Sequence, residues 1–362
     1  MGLSGHPAIR VALLAAAVTA LAWGVAGGLA RLGAQVAAPG GAVHHGFLMI
    51  SGFLGTVIAL ERAVAFRGGI AFAAPAFSAL GTLALLAGLV PVADAAWIAA
   101  PAALLAVSLA LARRQPLPHM RLLALASAAW LVAAILHAAR RDAGAIAFAF
   151  VFLVLTIAAE RLEMTRLMPR RPNAGRLFTA CVALQAAGAA AVAISPSHGP
   201  AVLGAAFVAT AAWLATFDIA RRTRRSAGFA GYAAHALLAG YAWLAAGGLG
   251  WIALAAGLPV RDAALHAVAL GFVMSMIFGH APLVIPAVAG LRMRYTPAFY
   301  APLALLHLSL AARFAADFLL PGARAATGWL NAAALVSFAA VLLHSLHGAR
   351  RGRRADPLHA SD

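Results

Sequence analysis

Apolar residues run along this chain in stretches of about 20, interrupted only by short clusters of Arg, Pro and Gly. A helix needs about 20 residues, at a rise of 1.5 Å each, to cross ~30 Å of hydrocarbon. Cutting the sequence at its polar clusters predicts twelve spans, over residues 8–30, 42–64, 70–90, 93–112, 120–139, 143–166, 176–194, 200–220, 229–257, 263–290, 297–320 and 325–347. The tightest division lies between the third and fourth, with a turn expected at Pro91 to Asp94. The first run exceeds a typical signal-peptide core and reads as an anchor. The fold class that follows is all-α integral membrane with about 12 transmembrane helices. Residues 1–347 form a single polytopic domain, and 348–362 form a basic cytoplasmic tail expected to be disordered.

Composition narrows this further. The chain is 64% hydrophobic and only 10% charged, against roughly 25% charged residues in soluble domains, so an ordinary soluble domain is excluded. All 27 basic residues are Arg, against 10 acidic ones, for a formal charge of +17. In a soluble protein that excess would suggest nucleic acid. Here the arginines punctuate apolar runs, so the partner they imply is the lipid bilayer with its anionic surface, and nucleic acid is not expected. Loops after even-numbered spans, with the tail, hold twenty arginines, and loops after odd-numbered spans hold five. Positive charge concentrates on the cytoplasmic side of a membrane, so both termini are expected there. The lone Cys181 rules out a disulfide framework and cysteine metal clusters. The thirteen histidines are left as the main store of site chemistry.

Ionisable groups within a span are costly and mark sites, and depth sorts them. His44 and His45 lie at the outer end of the second span, His137 ends the fifth, and His266 lies about a turn into the tenth. His235, His280, His344 and His347 lie toward the cytoplasm, and His307 near the middle of the eleventh. His266 and His280 are fourteen residues apart, roughly 21 Å along one helix, so one small cofactor cannot bind both. His6, His119, His198 and His359 read as solvated loop or tail residues. His137, His344 and His347, beside arginines, read as interfacial anchors. His44, His45, His266 and His280 lie among apolar and glycine residues and read as ligand or pathway groups. Glu61-Arg62 and Glu160-Arg161 read as helix-end caps. Arg313 and Asp317, four apart, share a helix face and are expected to neutralise each other or to hold a cofactor's anionic groups. Pro282 and Pro286 remove backbone donors and are expected to loosen the tenth span.

The second, sixth and tenth spans carry related text. Gly46-Phe47-Leu48-Met49 and Gly271-Phe272-Val273-Met274 share a G-F-x-M core, and the second and sixth spans both run from Thr to a Glu-Arg ending. A repeat of four spans implies pseudo-symmetric arcs with the three spans facing one another.

With an outer histidine on the second span and another on the tenth, the chain resembles the haem-copper oxidase catalytic subunit. It is closer to the NnrS family, twelve-span bacterial membrane proteins described as haem- and copper-containing and linked to nitric oxide stress. The matching stretches are Val43-His44-His45-Gly46-Phe47-Leu48-Met49 and His266-Ala267-Val268-Ala269-Leu270-Gly271, followed by Gly279-His280. Val43 stands where NnrS has its first histidine, and Gly46 replaces its Glu. Val268 breaks the oxidase's paired histidines, and the sixth and seventh spans have no histidine. These departures argue against a dioxygen-reducing haem-copper centre. What the resemblance implies is one bis-histidine haem b, held by His266 with His44 or His45, in a bacterial inner membrane. Arg313, Arg261 or Arg140 are expected to hold its propionates. A second metal site, with copper one option, is expected around His280 with His235 or His307, and His266 counts among the candidate metal ligands. An electron donor or a small gas ligand is the implied partner, and turnover is left open. The reading from another class is a proton-coupled secondary transporter, with the tenth span's proline segment as substrate element and His280 and Glu160 as proton-coupling groups.

Overall fold

Twelve helices long and apolar enough to cross a membrane account for the twelve apolar runs, and no strand forms among the described residues. The computed structural model describes residues 7–66, 68–165, 172–289, 291–319 and 321–354. The spans are α1 (Pro7–Arg31), α2 (Gly41–Phe66), α3 (Gly69–Leu86), α4 (Val90–Arg114), α5 (Pro118–Ala138), α6 (Asp142–Met164), α7 (Ala174–Ile194), α8 (Gly199–Phe217), α9 (Gly228–Ala255), α10 (Arg261–Pro286), α11 (Pro297–Ala316) and α12 (Arg324–Leu346).

Two boundaries differ from expectation. The turn between α3 and α4 falls before Pro91, at Gly88, whose φ of 76° is open to glycine without strain. Pro91 instead sits in the first turn of α4, where a missing N–H costs nothing. The backbone helix of α12 also continues to Arg354 rather than stopping at 347.

Burial separates the spans into an interior and a surround. The apolar windows of α2, α6 and α10 are 67%, 72% and 67% buried, whereas that of α1 is 22%. The three spans that share sequence text are therefore the central ones. Because lipid is as apolar as leucine, such packing relies on close contact and interhelical hydrogen bonds. Trp130 Nε1 on α5 donates to Ser51 Oγ on α2 at 3.0 Å, and Ser78 Oγ on α3 donates to the Ser51 carbonyl at 2.5 Å. Thr56 Oγ1 donates to Ser78 Oγ at 2.8 Å. The Trp130 ring lies over Gly55, where a Cβ would fall 2.3 Å from Cζ2, and is stacked on Phe152 of α6.

Two of the central spans leave α-helical geometry at corresponding places. Leu48–Gly55 in α2 and Ala267–Met274 in α10 are π-helical, each beginning within three residues of an outer histidine. Such widened turns are rare and cluster at functional sites.

Candidate functional site

The central spans enclose two cavities, one above the other. The outer one, toward the arginine-poor end, measures about 330 Å³ and is lined by residues of α1, α2, α6, α10, α11 and α12. His45, His266, Arg31, Arg313, Arg324 and Asn331 supply its polar wall, and residues such as Met49, Phe150 and Met274 its apolar one.

Within it the His45 and His266 rings lie with centroids 6.4 Å apart and planes inclined by only 24°. Both rings are fixed from behind. His45 Nδ1 donates to the Gly24 carbonyl of α1 at 2.6 Å, and His266 Nδ1 donates to the Asp262 carbonyl at 2.9 Å. With the Nδ1 proton so assigned, each Nε2 is the unprotonated nitrogen. Among the described residues neither Nε2 has a hydrogen-bond partner. The close approach of α1 depends on Gly28, where a Cβ would lie 2.8 Å from His45 Cε1.

Behind His266 runs a charged chain. Asp262 Oδ1 lies 3.2 Å from His266 Nδ1. Arg313 grips that carboxylate through Nε at 2.7 Å and Nη2 at 3.1 Å, and its Nη1 donates to Asn331 Oδ1 at 3.3 Å. Arg313 therefore answers Asp262 across helices while still lining the cavity; the side chain of Asp317 lies outside the described residues. Of the other arginines expected near an anionic group, Arg261 is exposed and Arg140 bonds Asp94 at 2.8 Å. The cavity takes Arg31 and Arg324 in their place. Sequence order could have flagged these two, since both stand at outer helix ends bordering the same face.

His44 turns away from the pair. Its ring meets His137 edge-on at 5.7 Å, and His137 is stacked on Phe47 at 3.6 Å beside Trp97. Neighbouring positions on a helix are ~100° apart, so α2 can aim one of the two adjacent histidines into the cavity, and it aims His45. His137 is buried in this aromatic nest rather than anchored at an interface, and His119 is buried in the first turn of α5 rather than solvated.

The three rings expected around a second metal site each have another partner. His280 Nε2 accepts from Arg161 Nη2 at 2.6 Å, His235 is exposed and bonded to the Tyr300 hydroxyl, and His307 Nδ1 accepts from Trp243 Nε1. Three neighbours on three helices thus claim the three rings. Among the described residues no group of three or more His, Cys, Asp or Glu is arranged to hold a metal ion. The proline segment of α10 stays helical through Pro282 and Pro286 to Ala289, so the broken element expected there is absent.

The inner cavity, about 160 Å³, is lined by Glu61, Glu160, Thr156 and His280 among apolar residues. Leu54 and Leu153 line both cavities.

Fold and site together define a polytopic all-α membrane protein with paired imidazoles in a chamber between its central spans. The chain belongs to the family described as Domain of unknown function (DUF8744), whose model matches residues 10–347. No curated protein and no solved structure gives a match.

Proposed function

We propose that the outer cavity would hold a haem b through His45 and His266, and that the protein serves redox or nitric oxide handling in a bacterial inner membrane, its termini cytoplasmic, as NnrS-type proteins do. The observation that carries this reading is the spacing of the two rings. A metal held by two imidazoles at bonds of about 2.0–2.1 Å would need ring centroids roughly 6 Å apart, and the observed separation is 6.4 Å. A porphyrin supplies four of the iron's ligands, so two protein donors suffice where a copper or zinc centre would need three or more.

The surroundings fit the same group. Carbonyl and carboxylate partners at Nδ1 are the usual means of orienting an iron- or zinc-bound imidazole and raising its basicity. Arg31, Arg313 and Arg324 offer charge-assisted hydrogen bonds to carboxylates. Apolar side chains of α6 and α10 complete the wall. Held there by His45 and His266, haem would supply one-electron chemistry, which suits exchange with an electron donor. The test is the haem content of protein purified from haem-sufficient cells, read as the pyridine haemochrome. Wild type is expected to carry a single haem, and His266→Ala none. Haem-free wild type overturns the reading and favours the proton-coupled transporter, which depends on the inner cavity and leaves His266 dispensable.

A further inference from the structure

Glu61 lies in the last turns of α2 and Glu160 in those of α6, yet their side chains converge on one nitrogen. Arg62 Nη2 donates to Glu61 Oε1 at 2.9 Å and to Glu160 Oε1 at 3.2 Å. Both carboxylates line the inner cavity, and their side chains are 30% and 26% exposed. The groups facing them are few. Arg161 faces Glu160 but spends Nη2 on His280, and its buried Nε has no partner. Glu163 faces Arg62 and Glu160, and His280 faces Glu61. Deeper in, Asp218 accepts from the Tyr241 hydroxyl at 2.5 Å and faces His280.

Three carboxylates, Glu61, Glu160 and Glu163, face two guanidinium groups, Arg62 and Arg161, which leaves one negative charge in excess at membrane depth, where isolated charge is expensive, and Glu61 and Glu160 are the two that meet on one nitrogen. Carboxylates that share a site do not ionise independently, and the protons they hold belong to the pair. The rest of the cavity wall is largely apolar, and no group of three donors is arranged for a metal ion among the described residues. The smallest species that restores neutrality is a proton. We propose that Glu61 and Glu160 share one exchangeable proton, forming a proton-binding site at the arginine-rich end that opens into the inner cavity. Leu54 and Leu153, common to both cavities, form an apolar partition between this site and the outer chamber. The inference stands apart from the haem reading, since none of its residues touches the outer site.

Infrared spectroscopy of the full-length protein at neutral pH, in H2O and D2O, tests it without any cofactor. Wild type is expected to show a protonated-carboxyl stretch that shifts in D2O, and one carboxyl's intensity is expected to vanish in Glu61→Gln and equally in Glu160→Gln. Loss in both single variants is the mark of sharing, because either remaining carboxylate then pairs alone with Arg62. Glu163→Gln is the control that keeps the band. A carboxyl region unchanged in either variant of the pair, or empty in wild type, overturns the proposal. Should Glu160→Gln fail to fold, Glu160→Ala takes its place with the same expectation.

Discussion

His266 and His280 lie on the same span and are tied down in the same way, yet they end in opposite chemical situations. Each donates Nδ1–H to the carbonyl four residues earlier, His266 to Asp262 and His280 to Met276. The difference is what stands before Nε2. His266 lies beside His45 in the outer cavity, whereas His280 accepts an arginine hydrogen bond at 2.6 Å. An imidazole whose lone pair already accepts from a guanidinium cannot ligate a metal without first losing that bond. The lesson is that a histidine at membrane depth is defined by its second nitrogen, and only the outer one is left available.

The contrast can be broken from either end. The largest effect is expected from His45→Ala or His266→Ala, each abolishing haem retention. Gly28→Ala comes next. Its methyl group would crowd the His45 ring, at 2.8 Å from Cε1, and is expected to remove most of the bound haem, measured per chain after purification. Asp262→Asn keeps the His266 carbonyl contact but weakens the carboxylate behind the ring and the grip of Arg313. Losing such a partner costs about 10–100-fold in affinity, read as faster haem transfer to an apo-globin acceptor. His280→Ala is expected to leave the haem untouched while stripping Arg161 of its partner. A lost hydrogen bond to a charged group costs about 1.5–3 kcal/mol, seen as a lower thermal unfolding midpoint in detergent. The smallest effect belongs to His44→Ala, whose ring packs on His137 outside the cavity.

The fold was legible because twelve apolar runs and an arginine asymmetry leave little choice to a chain that must satisfy its backbone in lipid. The central placement of α2, α6 and α10 was foreshadowed by their shared text. His266 and the His44–His45 pair stood out as candidates, but the choice between the two depended on α1, whose Gly24 carbonyl and bare Gly28 receive one ring only. Local spacing fell short at Arg313, which reaches Asp262, a carboxylate on another helix. It fell short again at Glu61-Arg62 and Glu160-Arg161, which resemble independent end caps in sequence and become one cluster only when α2 and α6 pack. The burial of His137 is hidden from its local sequence, because the ring of Phe47 that covers it, 3.6 Å away, comes from another span.

The pairing of His45 with His266 is most directly tested by the reduced-minus-oxidised optical spectrum of detergent-purified protein, taken on wild type and on single alanine variants of His44, His45, His266 and His280. Sharp, split alpha and beta bands are expected in wild type, His44→Ala and His280→Ala, and their loss in His45→Ala and His266→Ala. A featureless wild-type spectrum, or bands that survive removal of either His45 or His266, would contradict it.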